Sequence, residues 1–146
     1  MSRAFRKEDE DRPEKPPARP VGDRPNYVTP AGLKALQEAL AQARADGDER
    51  NAKYFDERID SAILVDPKLG KANVVAFGTT VSVRDEGGAV TRLRIVGEDE
   101  ADPVHGTVSW ISPYAQALLE HHIGERVLVP RPKGAVVVTI EAVERE

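Results

Sequence analysis

The stretch ALAQARADGDERNAKYFDERID, residues 39–60, predicts two helical runs joined at Gly47. Before this glycine, apolar side chains recur at steps of three and four residues, at Leu33, Leu36, Leu40 and Ala43. After it, the apolar positions are Ala52, Phe55, Ile59, Ala62 and Ile63. Each run therefore has one apolar face, and the short turn predicts that the two helices lie antiparallel as a hairpin.

Residues at the ends of the two runs predict where each helix begins and ends. Thr29 is a good N-cap, and Pro30 fits the first helical position. The first helix should end near Gly47, because glycine commonly follows a helix C-terminus. The second should begin at Asp48 or Glu49, whose carboxylates favour a helix N-terminus. A helix of about 16 residues is only about 24 Å long, so the predicted hairpin is short.

After the hairpin, the apolar period changes from helical to alternating, which predicts strands. One pair of strands flanks the turn DEGGA at residues 85–89, and a second pair flanks RPKG at residues 131–134. The alternating residues are Val81, Val83, Leu93 and Ile95, then Val127, Val129, Val136, Val138 and Ile140. Between the pairs, Ser112 caps a short helix that runs from Pro113 to Glu120.

These elements predict an α+β protein. We expect an antiparallel two-helix hairpin over residues 27–66, followed over residues 72–146 by an antiparallel β-sheet domain with one short helix. Residues 1–26 contain five prolines, seven basic and six acidic side chains, and one aromatic residue, Phe5. Such a segment buries too little apolar surface to offset its ordering entropy, so we expect a disordered tail.

Composition narrows the classes of function. The 146-residue chain has no cysteine, which excludes disulfides and thiolate metal sites. It shows neither a membrane-spanning run nor the apolar core of a signal peptide, so we expect a cytoplasmic protein with no membrane partner. The net charge of -4 argues against a broad, nonspecific grip on DNA. A protein partner is therefore the better expectation.

No catalytic constellation is evident. His105 lies in a loop without nearby ligands, and His121 and His122 are neighbours that point in different directions, so no intrinsic metal site is expected. Phosphate-binding loops, nucleophile elbows and dinucleotide fingerprints are all missing from the sequence. The chain is therefore not expected to be an enzyme.

Two acidic clusters are candidates for function. The first is at the predicted hairpin tip and consists of Asp46, Asp48 and Glu49; the second is GEDEADP, residues 97–103. Carboxylates of this kind can hold Mg²⁺ when another molecule supplies further ligands. The alternative is that the tip acids serve only solubility and helix capping.

Six stretches resemble the bacterial GreA/GreB transcript-cleavage factors. The sheet region resembles their C-terminal domain at FGTTVSV (77–83), RIVGEDEADP (94–103), SWISPYAQALL (109–119) and IGERVLV (123–129). The hairpin region resembles the opening of their helical finger at NYVTPAGLKALQEAL (26–40) and their finger tip at GDERNAKY (47–54). The resemblance thus covers residues 26–146.

The resemblance implies a fold and a mode of action. An FKBP-like C-terminal domain would dock on RNA polymerase at the rim of the secondary channel, and a coiled-coil finger would enter that channel. Tip acids would help the polymerase bind a second Mg²⁺, so that the polymerase itself cleaves backtracked RNA. By this resemblance the docking loop contains Asp99, Glu100, Asp102 and Pro103. Nucleic acid would be contacted only indirectly, within the elongation complex, by a monomeric factor.

Two features differ from the family pattern. The finger is much shorter, and one residue is missing from the tip signature. Asp48 matches the family's tip aspartate, but Arg50 falls where its glutamate is expected and Glu49 is shifted by one residue. A cation at this position would oppose binding of a metal ion.

Two other functions stay open at this stage. The first is a non-cleaving polymerase-binding regulator that resembles the regulator of nucleoside diphosphate kinase and competes with longer Gre factors. The second is an FKBP-type prolyl isomerase. Prolyl isomerase activity is the weaker hypothesis, because the sheet region offers few aromatics for a pocket, namely Phe77, Trp110 and Tyr114.

Overall fold

The computed structural model describes residues 24–145, which form a helical hairpin and a β-rich head. The hairpin consists of α1, Pro30–Ala45, and α2, Glu49–Asp60. A third helix, α3, covers Pro113–Leu118 in the head. The strands are β1 Asn26–Val28, β2 Ala62–Leu64, β3 Thr80–Asp85, β4 Val90–Val96, β5 Thr107–Ser109, β6 Arg126–Val129 and β7 Val136–Glu144. Positions 1–23 of the predicted disordered tail lie outside the described residues.

The tip of the hairpin is built from backbone hydrogen bonds that close the end of α1. Gly47 N–H donates to the Arg44 carbonyl at 3.2 Å, and Asp48 N–H donates to the Ala43 carbonyl at 2.9 Å. This is a Schellman motif, whose left-handed residue is Gly47 with φ +71°. The Asp48 side chain then caps α2. Asp48 therefore closes the end of α1 through its backbone N–H and starts α2 through its carboxylate. The predicted helix boundaries at the turn are confirmed.

The base of the hairpin differs from the prediction. Ala62 and Ile63 were expected to extend the apolar face of the second helix, but they lie in β2, which pairs in parallel with β1. Ile63 is 47% exposed, so it contributes little to the helix pair. Asn26 was assigned to the disordered tail, yet it lies in β1 and is 5% exposed. These short strands were missed because three-residue segments carry too little pattern to predict.

The head contains a five-stranded sheet in the order β5-β4-β3-β7-β6. The two predicted hairpins are present, with turns between β3 and β4 and between β6 and β7. The sheet is not wholly antiparallel as expected, because β5 pairs in parallel with β4. The loop after β4 contains a short 3-10 turn at Pro103–His105 and brings the chain back beside Arg94, so β5 runs parallel to the last three residues of β4. The α+β class is confirmed.

The core lies between the sheet and α3. Ile95, Leu118 and Ile140 are completely buried there, and burying a side chain of this size stabilises a fold by about 1.5–3 kcal/mol. α3 ends at Leu118, two residues earlier than predicted, and Glu120 has a left-handed backbone at φ +72°. The hairpin core is smaller: Leu36 and Ala43 of α1 are buried, whereas Phe55 of α2 is only half-buried. The head therefore supplies most of the buried apolar surface.

Gly97, at the end of β4, allows the hairpin base to pass close to the head. A Cβ atom at this position would lie 2.3 Å from the Tyr27 carbonyl oxygen in β1, which is a backbone atom. We expect Gly97→Ala to lower the free energy of unfolding by about 1–3 kcal/mol, because β1 must shift. Chemical denaturation measures this change.

The control for this prediction is Gly87→Ala, in the turn between β3 and β4. A Cβ atom at Gly87 meets only the Asp85 carboxylate, at an ordinary 3.5 Å. We expect this variant to unfold close to the wild-type midpoint. Equal effects of the two substitutions would contradict the close approach of β1 to Gly97.

Candidate functional site: the hairpin tip and the acidic loop of the head

The Asp48 carboxylate at the hairpin tip is engaged by Asn51. One oxygen accepts from the Asn51 backbone N–H at 3.1 Å, and the other accepts from Asn51 Nδ2 at 2.7 Å. These bonds, the backbone one first, lower the pKa of Asp48 below the ordinary aspartate value. Asp48 is therefore a helix cap in this structure, which is the structural alternative considered for the tip acids.

The other two predicted tip acids have different surroundings. Asp46 accepts a hydrogen bond from Gln42 Nε2 at 3.0 Å, on the outer side of α1. Glu49 lies in the first turn of α2 and is exposed. Among residues 24–145, no three His, Asp or Glu side chains come close enough together to hold a metal ion. A metal at the tip would thus need most of its ligands from another molecule.

The acidic loop after β4 faces the hairpin. Three consecutive acids, Glu98, Asp99 and Glu100, which we name the junction acids, each contact the N-terminal part of the chain. Glu98 accepts from Arg24 Nη2 at 3.2 Å, and Glu100 accepts from Thr29 Oγ1 at 2.7 Å. The Thr29 hydroxyl also caps α1 by accepting from the Gly32 N–H at 2.9 Å. The start of the first helix is therefore tied to the head.

The strongest of these contacts involves Arg58, in the last turn of α2. Its side chain is only 4% exposed, and its Nε donates to Asp99 Oδ2 at 2.6 Å. Its Nη2 donates to Asn26 Oδ1 at 2.7 Å, which brings in β1. The Tyr54 hydroxyl, one helical turn earlier, donates to Asp99 Oδ1 at 2.5 Å. Asp99 thus receives hydrogen bonds from two residues of α2.

The four residues assigned to the docking loop are therefore not equivalent. Asp99 is only 10% exposed in its side chain, and Glu100 packs against Gly32, so both are used inside the molecule. Asp102 and Pro103 lie farther along the loop at the surface, where the Asp102 carboxylate lies 2.6 Å from His105 Nδ1. The structure separates the loop into an inner half and an outer half. No contact with a partner is needed to explain the inner half.

Beside the outer half is an apolar groove of about 460 Å³. It runs along the face formed by β4, β5 and the start of α3. The residues lining it are Thr91, Arg92, Leu93, Pro103, Gly106, Val108, Ser112, Pro113, Tyr114, Pro130, Arg131 and Pro132. The Tyr114 hydroxyl is buried without a hydrogen-bond partner. Tyr114 is the single aromatic residue in the lining, which argues against an aromatic prolyl isomerase pocket.

The remaining aromatic and histidine residues have structural surroundings. Trp110 packs on the core and contacts the Tyr27 ring at 5.1 Å between centroids. His121 and His122 both lie beside the Glu125 carboxylate, at 2.6 Å and 3.0 Å from Nδ1. The hydrogen bond from His121 is the main reason why the pKa of Glu125 is lowered. The expectation that His121 and His122 point in different directions is wrong, because both rings meet the same carboxylate.

Sequence reasoning missed Arg58 and Tyr54. Both lie on the polar face predicted for α2, and nothing in a single sequence says which acid of the head will meet them. One signal was available: Tyr54 and Arg58 are four residues apart, so they share one face of the helix. An aromatic hydroxyl and a guanidinium on one face suit a common carboxylate acceptor.

The sequence matches known proteins over most of its length. The family model described as "Transcription elongation factor, GreA/GreB, C-term" matches residues 70–145. GreB of Neisseria meningitidis serogroup B is 31% identical over 152 residues, which cover 82% of this chain and 93% of that protein. GreA of Francisella philomiragia is 33% identical over 152 residues, which cover 88% and 95%. The chain therefore belongs to the GreA/GreB family of transcription elongation factors.

This assignment confirms the predicted family and class of function. Members of the family are elongation factors that bind RNA polymerase and are not enzymes themselves. The alignment with the Neisseria protein spans 152 positions but takes up only 82% of this 146-residue chain, so part of that relative has no counterpart here. A shortened hairpin agrees with this difference.

Solved structures of similar proteins include two from this family. GreA factor homolog 1 (Gfh1) of Thermus thermophilus is 20% identical with a TM-score of 0.47, covering 83% of this chain and 99% of that chain. GreA/GreB from Nitrosomonas europaea is 22% identical with a TM-score of 0.47, covering 81% and 98%. The family assignment rests on the sequence matches. No helix in residues 24–145 has the length and apolar character needed to cross a membrane.

The capping geometry predicts how Asp48 titrates. We expect Asn51→Ala to raise the pKa of Asp48 part of the way toward the ordinary aspartate value, because the side-chain donor is lost and the backbone donor remains. Since folding lowers this pKa, the contact stabilises the hairpin above the unfolded-state pKa, and this stabilisation is lost as the pH falls through the folded-state pKa. NMR titration of the Asp48 carboxyl carbon measures the shift.

Lys53→Ala is the control, because Lys53 is an exposed residue of the same helix and makes no contact with Asp48 that lowers its pKa. It should leave the Asp48 titration unchanged. An Asp48 pKa that is the same in Asn51→Ala and wild type would refute the hydrogen bond from the Asn51 side chain to Asp48.

Proposed function

We propose that this protein binds RNA polymerase at its secondary channel and modulates elongation by placing the helical hairpin in that channel. The observation that carries the proposal is the match of residues 70–145 to the GreA/GreB family, in a chain whose preceding residues form an antiparallel helical hairpin. The head supplies docking and the hairpin supplies the effect on the polymerase. Such a factor works in the cytoplasm, as a monomer, and meets nucleic acid only within the elongation complex.

The outer half of the acidic loop and the groove beside it form the docking surface in this proposal. Pro103 belongs to both, and Val104 next to it is 87% exposed, which is unusual for an apolar side chain on a stable surface. Tyr114 lines the same groove with a buried hydroxyl that has no partner. A protein partner would cover the apolar Val104 side chain.

The tip is proposed to act through carboxylates that face the polymerase active centre. Asp46 and Glu49 are the better candidates for sharing a polymerase-bound Mg²⁺, because both oxygens of Asp48 already accept hydrogen bonds from Asn51. Mg²⁺ keeps several waters and accepts one or two carboxylates, so it suits such a shared arrangement. α1 has 16 residues and α2 has 12, which limits the hairpin to roughly 24 Å in length.

A substitution at Val104 tests the docking surface. We expect Val104→Glu to weaken binding to core RNA polymerase by about tenfold or more, because a charge would be buried against an apolar contact. Biolayer interferometry with immobilised polymerase gives the dissociation constant.

Leu69→Glu is the matched control, since Leu69 is also an apolar residue of a 3-10 turn and is 82% exposed, but its turn, Pro67–Leu69, does not belong to the acidic loop. Its affinity should stay near wild type. If both variants bind as the wild type does, the outer half of the acidic loop is not part of the docking surface. If the wild type itself does not bind, the proposed function fails.

Cleavage of RNA in a backtracked elongation complex tests the tip. We expect Glu49→Gln to reduce the stimulated cleavage by about tenfold or more, since it removes a charged oxygen ligand. Asp48→Asn should reduce it less, because asparagine still caps the helix. Gel electrophoresis of the labelled transcript gives the rates.

The same assay distinguishes a factor that stimulates cleavage from a non-cleaving regulator. Full stimulation of cleavage by the Glu49→Gln variant would contradict a role for the Glu49 carboxylate. Normal polymerase binding without any stimulated cleavage by the wild type would identify a non-cleaving regulator, which occupies the channel and excludes longer factors.

A further inference from the structure

We infer that the junction acids are positioning residues, which fix the angle at which the hairpin leaves the head, and that Asp99 is the central one. This inference rests on the proposed function, in which the hairpin must enter a channel while the head is docked. It gives Glu98, Asp99 and Glu100 a role inside the molecule in place of the contact with polymerase that the sequence suggested.

The first support is that the contacts of the junction acids reach both helices of the hairpin. Glu100 receives a hydrogen bond from Thr29, the cap of α1, at 2.7 Å. Asp99 receives hydrogen bonds from Tyr54 and Arg58 of α2 at 2.5 Å and 2.6 Å. Anchors at the start of one helix and near the end of the other resist both tilting and twisting of the pair. A single contact would leave one of these motions free.

The second support is burial. Arg58 and Asp99 have side chains that are only 4% and 10% exposed. A pair shielded in this way is screened little by salt, and each charge is costly to leave without the other. Asn26 in β1 also accepts from Arg58 at 2.7 Å and donates to the Arg58 carbonyl at 2.8 Å, so the guanidinium has a fixed place. The ion pair therefore acts as a rigid contact.

The third support is the small apolar contact between hairpin and head. The buried apolar core belongs to the head, and the side chains clustered in it come from residues 75–140. At the hairpin base, Tyr27 contacts Trp110 and Phe77 with ring centroids 5.1 Å and 5.8 Å apart. Val28 in β1 is also buried, but the two helices themselves are tied to the head by the hydrogen bonds of Thr29, Tyr54 and Arg58, so these polar contacts set the direction of the helices.

A distance measurement on the free protein tests this inference directly. The chain has no cysteine, so spin labels can be placed at Ala45→Cys near the tip and Lys133→Cys on the head, both exposed positions. Electron double resonance then gives the distribution of tip-to-head distances. We expect Asp99→Asn to broaden or shift this distribution by several ångströms, and the labelled wild type to give a narrow one.

Asp102→Asn is the matched control. It makes the same chemical change in the same loop, but its carboxylate is 51% exposed and pairs only with His105, also on the head. Its distance distribution should equal that of the wild type. An unchanged distribution in Asp99→Asn would overturn the inference.

Single-contact variants cover the case in which Asp99→Asn does not fold, as judged by circular dichroism. Tyr54→Phe removes only the phenol hydroxyl that donates to Asp99, and Glu100→Gln removes only a charge. Each should broaden the distance distribution measurably relative to the wild type. Wild-type distributions in both variants would also overturn the inference.

Assays with polymerase separate positioning from docking. We expect Asp99→Asn to bind core polymerase within about twofold of wild type while its effect on elongation falls by about tenfold, since a misplaced hairpin misses its target. Weaker binding together with an unchanged distance distribution would mean that Asp99 docks on polymerase, and would refute the positioning role. If the wild type does not bind polymerase, the proposed function fails, and the distance distributions still decide whether Asp99 orients the hairpin.

Discussion

A single buried guanidinium constrains the arrangement of this protein. Arg58 is removed from water at the end of α2, and a charge in that position must be paired. Its partners, Asp99 and Asn26, come from the head loop and from β1, so three separate segments must meet at one point. The parallel pairing of β1 with β2 and the close approach of β1 to Gly97 follow from the same meeting. The hairpin is thus fixed where it leaves the head.

The head and the hairpin have different roles as a result of this arrangement. The core cluster of the head is formed by buried side chains from residues 75–140, none of which lies in the hairpin. The hairpin has few buried side chains and depends on the junction for its direction. For a GreA/GreB family member this separation is useful, since docking and the action of the tip can be changed independently.

Much of the fold could be predicted because its signals are local. The end of α1 at Gly47, the cap at Thr29 and the turns of the two β-hairpins each depend on a few adjacent residues. The parallel pairs β1-β2 and β4-β5 were missed, because short parallel strands are defined by partners that are distant in sequence. The candidate site shows the same limit. Asp99 was predicted to lie in a docking loop, and only the packing of α2 against that loop revealed that it faces Arg58.

The position of the anchoring contacts has a consequence for how such proteins diversify. Tyr54, Arg58 and Thr29 hold the hairpin at or near its base, whereas the tip is closed by a self-contained turn at Gly47 and Asp48. Whole helical turns inserted in matched numbers into α1 and α2 would therefore lengthen the probe without altering its aim. The length of the hairpin can therefore change while its direction from the head stays the same.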